Sequence, residues 1–194
     1  PSDISEKTEY AIEQFILNGG KTVIFLGPFF EKNDHSNKKS NLENILKTLN
    51  INFNENIILD GAQATRLQTQ QNISDNTSLQ TMLKLNWPEV RGQYINQQEE
   101  IGNGLSLVRI VSPGGLTPLN EDSEIDYIPL ISSSNVTMDL PMKEVLDPIE
   151  LINNFQPTGI EYDFGVKLTG KTSSQFDDFE FKKDTHISYS TNNI

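Results

Sequence analysis

The chain has 194 residues, with 15 Lys and Arg against 27 Asp and Glu and a formal charge of −12. That length suits one domain, or one domain with an appended segment, and the charge disfavours nucleic acid or an anionic membrane surface as the main partner. With no cysteine, disulfides, thiolate metal sites and cysteine nucleophiles are excluded, and no run of about 18 apolar residues is available to span a membrane.

The chain opens on Pro1, without an initiating Met or a signal-peptide pattern, which reads as a segment of a longer protein. Ser5 is an N-cap for a helix whose Ala11, Ile12, Phe15 and Ile16 share one stripe, and Gly19-Gly20 stops it. Thr22 to Leu26, continuously apolar after its first residue, predicts a strand buried on both faces of a parallel sheet, ended by Gly27-Pro28. A polar loop, Glu31 to Lys39, follows. Ser40 and Glu43 then form a capping box for a helix carrying Leu42, Ile45, Leu46 and Leu49, with Asn50 as its stop. Ile57 to Asp60 is the next short strand. Helix, strand, helix, strand implies an α/β fold with a mostly parallel sheet and right-handed crossovers.

Residues 61 to 81, rich in Gln, Asn, Thr and Ser, read as a surface excursion without periodicity. Met82 to Trp87 and Leu105 to Val111 read as strands, and Asn96 to Asn103 as a short helical turn. Tyr127 to Ile131 is a further strand, followed by Ser132-Ser133-Ser134. Asp147-Pro148-Ile149-Glu150 is a second capping box with proline at the first helical position. Ile160 to Leu168 alternates cleanly, as an edge or antiparallel strand would, giving a mixed C-terminal part. The residues from 177 to 194 form a polar tail, frayed from Ser188 to Asn193, behind a domain spanning 1 to 176.

Little here suits catalysis. His35 and His186 lie in polar segments and read as surface histidines, and Ser36 to Lys39 matches a Ser-x-x-Lys pattern only in a loop without a helix to desolvate the lysine. Lys38-Lys39 itself reads as a solvated pair. Two distant histidines make a zinc site improbable, and the acidic runs at Glu121, Asp122, Glu124 and Asp126, and at Asp177 and Asp178, lack the spacing of a calcium loop. Gly102-Asn103-Gly104 lacks the third glycine of a dinucleotide fingerprint, so neither a metal nor a cofactor is expected. In an open parallel sheet, ligands bind beyond the carboxyl ends of the strands, which selects Gly27, Pro28, Asp60, Ser132, Ser133 and Ser134 as binding candidates. For Asp60 a turn hydrogen bond competes with a ligand role.

With these elements in place, the chain resembles the soluble domain of the auxiliary, exported component of ABC transport systems of the gliding-motility type. The resemblance runs through Tyr10-Ala11-Ile12-Glu13-Gln14-Phe15-Ile16-Leu17-Asn18-Gly19-Gly20, Val23 to Phe29, Leu42 to Asp60, Tyr127 to Ser134, Asp147 to Phe155 and Leu168 to Phe176. It departs at Gly27, where the family commonly has aspartate, which weakens a ligand role there. The resemblance implies a Rossmann-like or flavodoxin-like domain related to class I glutamine amidotransferases. It also implies a domain that begins upstream of Pro1, leaving an apolar edge near Val23 to Leu26 for a second copy in a homodimer. Implied too are a non-catalytic, periplasmic or otherwise extracytoplasmic role, tethering to the inner membrane only through parts outside this chain, and the transporter's permease and ATPase as partners. An acidic surface would favour a basic partner. The competing expectation is a hydrolase of envelope glycans that pairs Asp60 with Glu161 or Asp163.

Overall fold

The computed structural model describes residues 4–28, 42–73, 76–141, 147–180, 182, 184–190 and 192–194, with backbone alone for 69–73 and 76–79. The described elements are α1 (Glu6–Leu17), α2 (Glu43–Thr48), β1 (Ile51–Asn54), β2 (Ile57–Asp60), β3 (Ala64–Ile73), β4 (Asn76–Arg91), β5 (Leu107–Arg109), β6 (Gly115–Pro118), β7 (Ile125–Ser132), β8 (Thr137–Leu140), α3 (Pro148–Asn154) and β9 (Asp163–Gly170). They form a four-stranded sheet in the order β1-β6-β9-β7, a β2-β8 pair and a β3-β4-β5 sheet. The sheets are mostly antiparallel, which overturns the Rossmann-like, flavodoxin-like parallel sheet expected from the sequence.

The cause is local. Residues 21 to 28 join no strand, and Val23 and Phe25 are 80% and 94% exposed, so the first strand of the expected parallel unit does not form. β2 is a strand as expected, buried at all four positions, yet it pairs antiparallel with β8 through Ile57 opposite Leu140 and Asp60 opposite Thr137. Residues 61 to 81 are not without regular structure: most of them build the β3–β4 hairpin, whose register runs from Thr65 opposite Lys84 to Ile73 opposite Asn76. β4 continues through Pro88, which sits opposite Ala64 beside a register shift, the kind of irregular position where a ladder tolerates a missing N–H. β9 is an interior strand, flanked by β6 and β7, and not an edge.

The chain divides into two compact units, Pro1–Phe53 with Leu116–Ile128 and Val166–Ile194, and Asn54–Gly115 with Pro129–Gly165. In the first, Ser5 caps α1 by accepting from the Thr8 amide at 3.2 Å, and Gly19 leaves it at φ +84°, as the sequence predicts. The buried face of α1 is rotated from the expected stripe. It comprises Glu9, Tyr10, Glu13, Ile16 and Leu17, while Phe15 is exposed. Both carboxylates are held by donors. Glu9 Oε1 accepts from the amides of Asn44 and Ile45 at 3.0 and 3.2 Å, and so caps α2, where Leu42 offers no side-chain cap. Ser40, expected in that role, lies outside the described residues. Glu13 accepts from Thr48 Oγ1 at 2.5 Å, Ser174 Oγ at 2.6 Å and the Gln175 amide at 2.7 Å.

Ile16, Ile45, Ile125 and Ile194 form the apolar core of this unit, with Ile12, Ile24, Leu42, Leu49 and Leu168 packed against it. Ser190 is likewise buried, and Ser173 bridges Tyr189, so these C-terminal residues contribute packing where fraying is expected from sequence. His186 is not a surface histidine. Its ring is 3% exposed and stacks on Tyr10 at 5.8 Å, with Nε2 2.8 Å from Asp177 Oδ1. The second unit packs Ile57, Leu59, Leu85, Leu140 and Leu151 together, covered by Ala64, Met138 and Phe155. Asp147 caps α3 through the Ile149 amide at 2.9 Å, with Pro148 first in the helix, as expected.

Candidate functional site

Four of the six residues selected from the strand ends gather in the second unit. Asp60 closes β2, and Ser132 to Ser134 end β7 and lead toward β8. Because β2 pairs with β8, the segment entering β8 passes beside Asp60, so an antiparallel ladder collects residues that a parallel sheet was expected to collect. Asp60 is fully buried. Its Oδ1 accepts from the Gln63 amide at 2.9 Å and Ser134 Oγ at 2.7 Å, and its Oδ2 from the Ser134 amide at 2.7 Å and Gln63 Nε2 at 3.1 Å. Two donors on each oxygen satisfy the carboxylate from within the fold.

The serines extend this web. Ser134 Oγ also accepts from the Val136 amide at 3.0 Å. Ser133 Oγ donates to the Ser134 carbonyl and accepts from the Tyr162 amide, both at 2.8 Å, and Ser132 Oγ donates to Asp163 Oδ1 at 2.7 Å. Burial, and then the charge of Asp139, pushes the Tyr162 phenol above the usual tyrosine range, so it stays protonated here. Gln63 Oε1 is a buried acceptor with no donor among the described residues. Gly27 and Pro28 are not partners in the web. They follow α1 in the first unit, where Gly27 is exposed, a Cβ on it would meet nothing within 4 Å, and Pro28 is buried.

Ser132 also borders an open depression of about 600 Å³, formed with the loop 92–98, Pro129 and Leu130. Among the described residues no formally charged side chain lines it. Gln93, Tyr94, Asn96, Gln97 and Gln98 provide amides and a phenol, and several are tied down: Asn96 Nδ2 donates to the Pro129 carbonyl, and Gln97 Nε2 to the Leu105 carbonyl, both at 2.9 Å. Gly102 lets the loop close, since a Cβ there would lie 2.0 Å from the Asn96 carbonyl oxygen. The helical turn expected over Asn96 to Asn103 is a run of turns without helix, and a 3₁₀ turn lies before it at Gly92–Tyr94. The available signal for the loop was its density of amides around one tyrosine.

Outside the depression, Arg91 and Arg109 both pair with Glu89, and the hydrogen bond from Arg109, then that from Arg91, holds its carboxyl below the usual glutamate range. Those arginines therefore do not form a free anion site. Among the described residues no group of three His, Asp or Glu side chains is placed to hold a metal ion, and no helix is long and apolar enough to cross a membrane.

No curated protein and no solved structure matches the chain. One family profile does, over residues 1–194, described as an ABC-type uncharacterized transport system. The chain therefore belongs to the auxiliary-component family of that ABC-type transport system.

Proposed function

We propose that this chain is a non-catalytic, extracytoplasmic module of an ABC transport complex of the gliding-motility type, acting by binding the transporter's permease and ATPase assembly or its cargo. The observation that carries the reading is the family match along the whole chain. The second unit supports a binding role through its depression, which offers uncharged hydrogen-bonding groups around Ser132 that suit a neutral polar ligand, while its buried carboxylate, saturated by four donors, is a structural post. The charge of −12 adds a preference for a basic protein surface. The glycan-hydrolase alternative draws no support from Asp60, which is enclosed and has no open face for a substrate.

The test is co-purification. The tagged chain, produced together with the permease and ATPase of its own system, is expected to stay with them after detergent extraction. Two results would overturn the reading: no retention, or a glycan-cleaving activity that disappears in Glu161→Gln or Asp163→Asn proteins of unchanged thermal stability.

A further inference from the structure

The loop of residues 92 to 98 is a braced frame. Asn96 donates from its backbone N–H to the Leu130 carbonyl and from Nδ2 to the Pro129 carbonyl, both at 2.9 Å, while its Oδ1 accepts from the Gln98 amide at 3.1 Å. Gln97 ties the loop on its other side, donating from Nε2 to the Leu105 carbonyl at 2.9 Å and accepting at Oε1 from the Gly104 amide at 3.2 Å. Ile95, fully enclosed, bridges Ile131 of β7. The groups that hold the loop are thus engaged, and three others in the lining of the depression are not. Gln93 and Gln98 are exposed and Tyr94 is half-buried, and among the described residues their two side-chain amides and the phenol make no hydrogen bond. A ligand that meets them finds the backbone already ordered, so little loop entropy is lost on binding.

From this geometry we infer that the depression binds a neutral saccharide. The inference rests on the binding role of the second unit and names its ligand. Charge excludes the common alternatives, because a phosphate, carboxylate or ammonium group entering here would exchange water for a lining without an opposite charge. Arg91, next to the loop, is committed to Glu89. An apolar ligand fares no better. Ile95 and Leu130 are buried, which leaves Pro129 and the ring of Tyr94 as the main apolar surface. A peptide adding as a strand would need the edge of β7, and Ile95 and the Asn96 amide already occupy it. What fits is a ligand without charge, with hydroxyls at several points and one small C–H face. A sugar hydroxyl both donates and accepts, and a carboxamide presents a donor and an acceptor side by side, so Gln93 and Gln98 can each serve in both roles. Tyr94 adds a hydroxyl beside a flat ring, on which the C–H face of a pyranose can lie. A volume of about 600 Å³ is that of an ordinary ligand site, and its opening to solvent admits an internal stretch of a glycan as well as its end.

Calorimetric and NMR titration of the 194-residue chain with neutral tetrasaccharides of glucose, mannose, galactose and N-acetylglucosamine tests this. At least one is expected to bind, to shift the side-chain NH₂ resonances of Gln93 and Gln98, and to do so with an affinity that added salt leaves unchanged, since no charge meets at the contact. Replacing both amides, Gln93→Ala with Gln98→Ala, is expected to weaken binding about tenfold or more, and Tyr94→Phe about threefold to fivefold. The thermal midpoint should stay the same in each, because none of the three groups has a hydrogen bond within the described fold to lose. No binding by any of the four sugars overturns the inference. So does tighter binding of an uncharged peptide or of a hexuronate tetramer, or undiminished binding after loss of both amides. None of these measurements needs the transporter. A chain retained by its permease and ATPase but blind to all four sugars would lose this inference and keep the transport reading, and a sugar-binding chain that is not retained would do the reverse.

Discussion

At the scale of single residues, three carboxylates are enclosed and, among the described residues, none is paired to a cation. Asp60, Glu9 and Glu13 are buried and take hydrogen bonds from amides and hydroxyls. A buried acceptor satisfied in this way contributes modestly while intact and costs much when removed, because its donors are then stranded away from water. Asp60→Ala would strand the amides of Gln63 and Ser134, and is expected to destabilise the chain by about 3 kcal/mol. Asp60→Asn keeps one carbonyl but turns an NH₂ group toward two of the donors, and is expected to cost about 2 kcal/mol. Urea unfolding measures both. Wild-type stability in Asp60→Ala would show that the web is not a structural post.

At the scale of elements, α2 depends on α1. Six residues are too few for a helix to persist alone, and its first amides are capped by Glu9 from another helix. Glu9→Ala is expected to cost about 1–2 kcal/mol and to raise amide exchange across Asn44 to Thr48 by more than in β2 and β8. Equal exchange in both proteins would remove Glu9 from the role of cap. The same helix shows how much of this fold could be read from sequence. The ends of α1 were legible because Ser5 and Gly19 act on adjacent backbone, and those of α3 because Asp147 and Pro148 do. The buried face of α1 was not, since two glutamates at i and i+4 look solvated unless the donors of α2 and of Ser174 and Gln175 are known to reach them. The β3–β4 hairpin was hidden for a related reason. Its Gln, Thr and Ser residues carry no apolar alternation, and its order comes from a cross-strand ladder that no single strand announces. Asp60 and Ser132 to Ser134 were grouped as strand ends, and they do meet, through the β2–β8 pairing and not through a parallel sheet. Thr22 to Leu26 misled because hydrophobic periodicity reports what a segment could bury, whereas a partner strand decides what it does bury.

At the scale of the whole molecule, the chain passes between its two units four times, after Phe53, Gly115, Ile128 and Gly165. Each passage falls inside a strand of the four-stranded sheet: β1, β6, β7 and β9 in turn. Neither unit is a continuous stretch with a linker at its boundary, so complete unfolding of one pulls apart strands whose remaining residues belong to the other. Their unfolding is therefore expected to be one cooperative transition, although each unit has its own apolar core. Ile45→Ala in the first core and Leu59→Ala in the second each remove a side chain with no exposed surface, at an expected cost of about 2–5 kcal/mol. In a chain of this length that lowers the calorimetric midpoint by about 2–4 °C per kcal/mol. Both substitutions should move the same single peak, and the double substitution should move it by nearly the sum, because the two sites share no partner. Two peaks, one displaced by Ile45→Ala and the other by Leu59→Ala, would show instead that strand continuity does not couple the units.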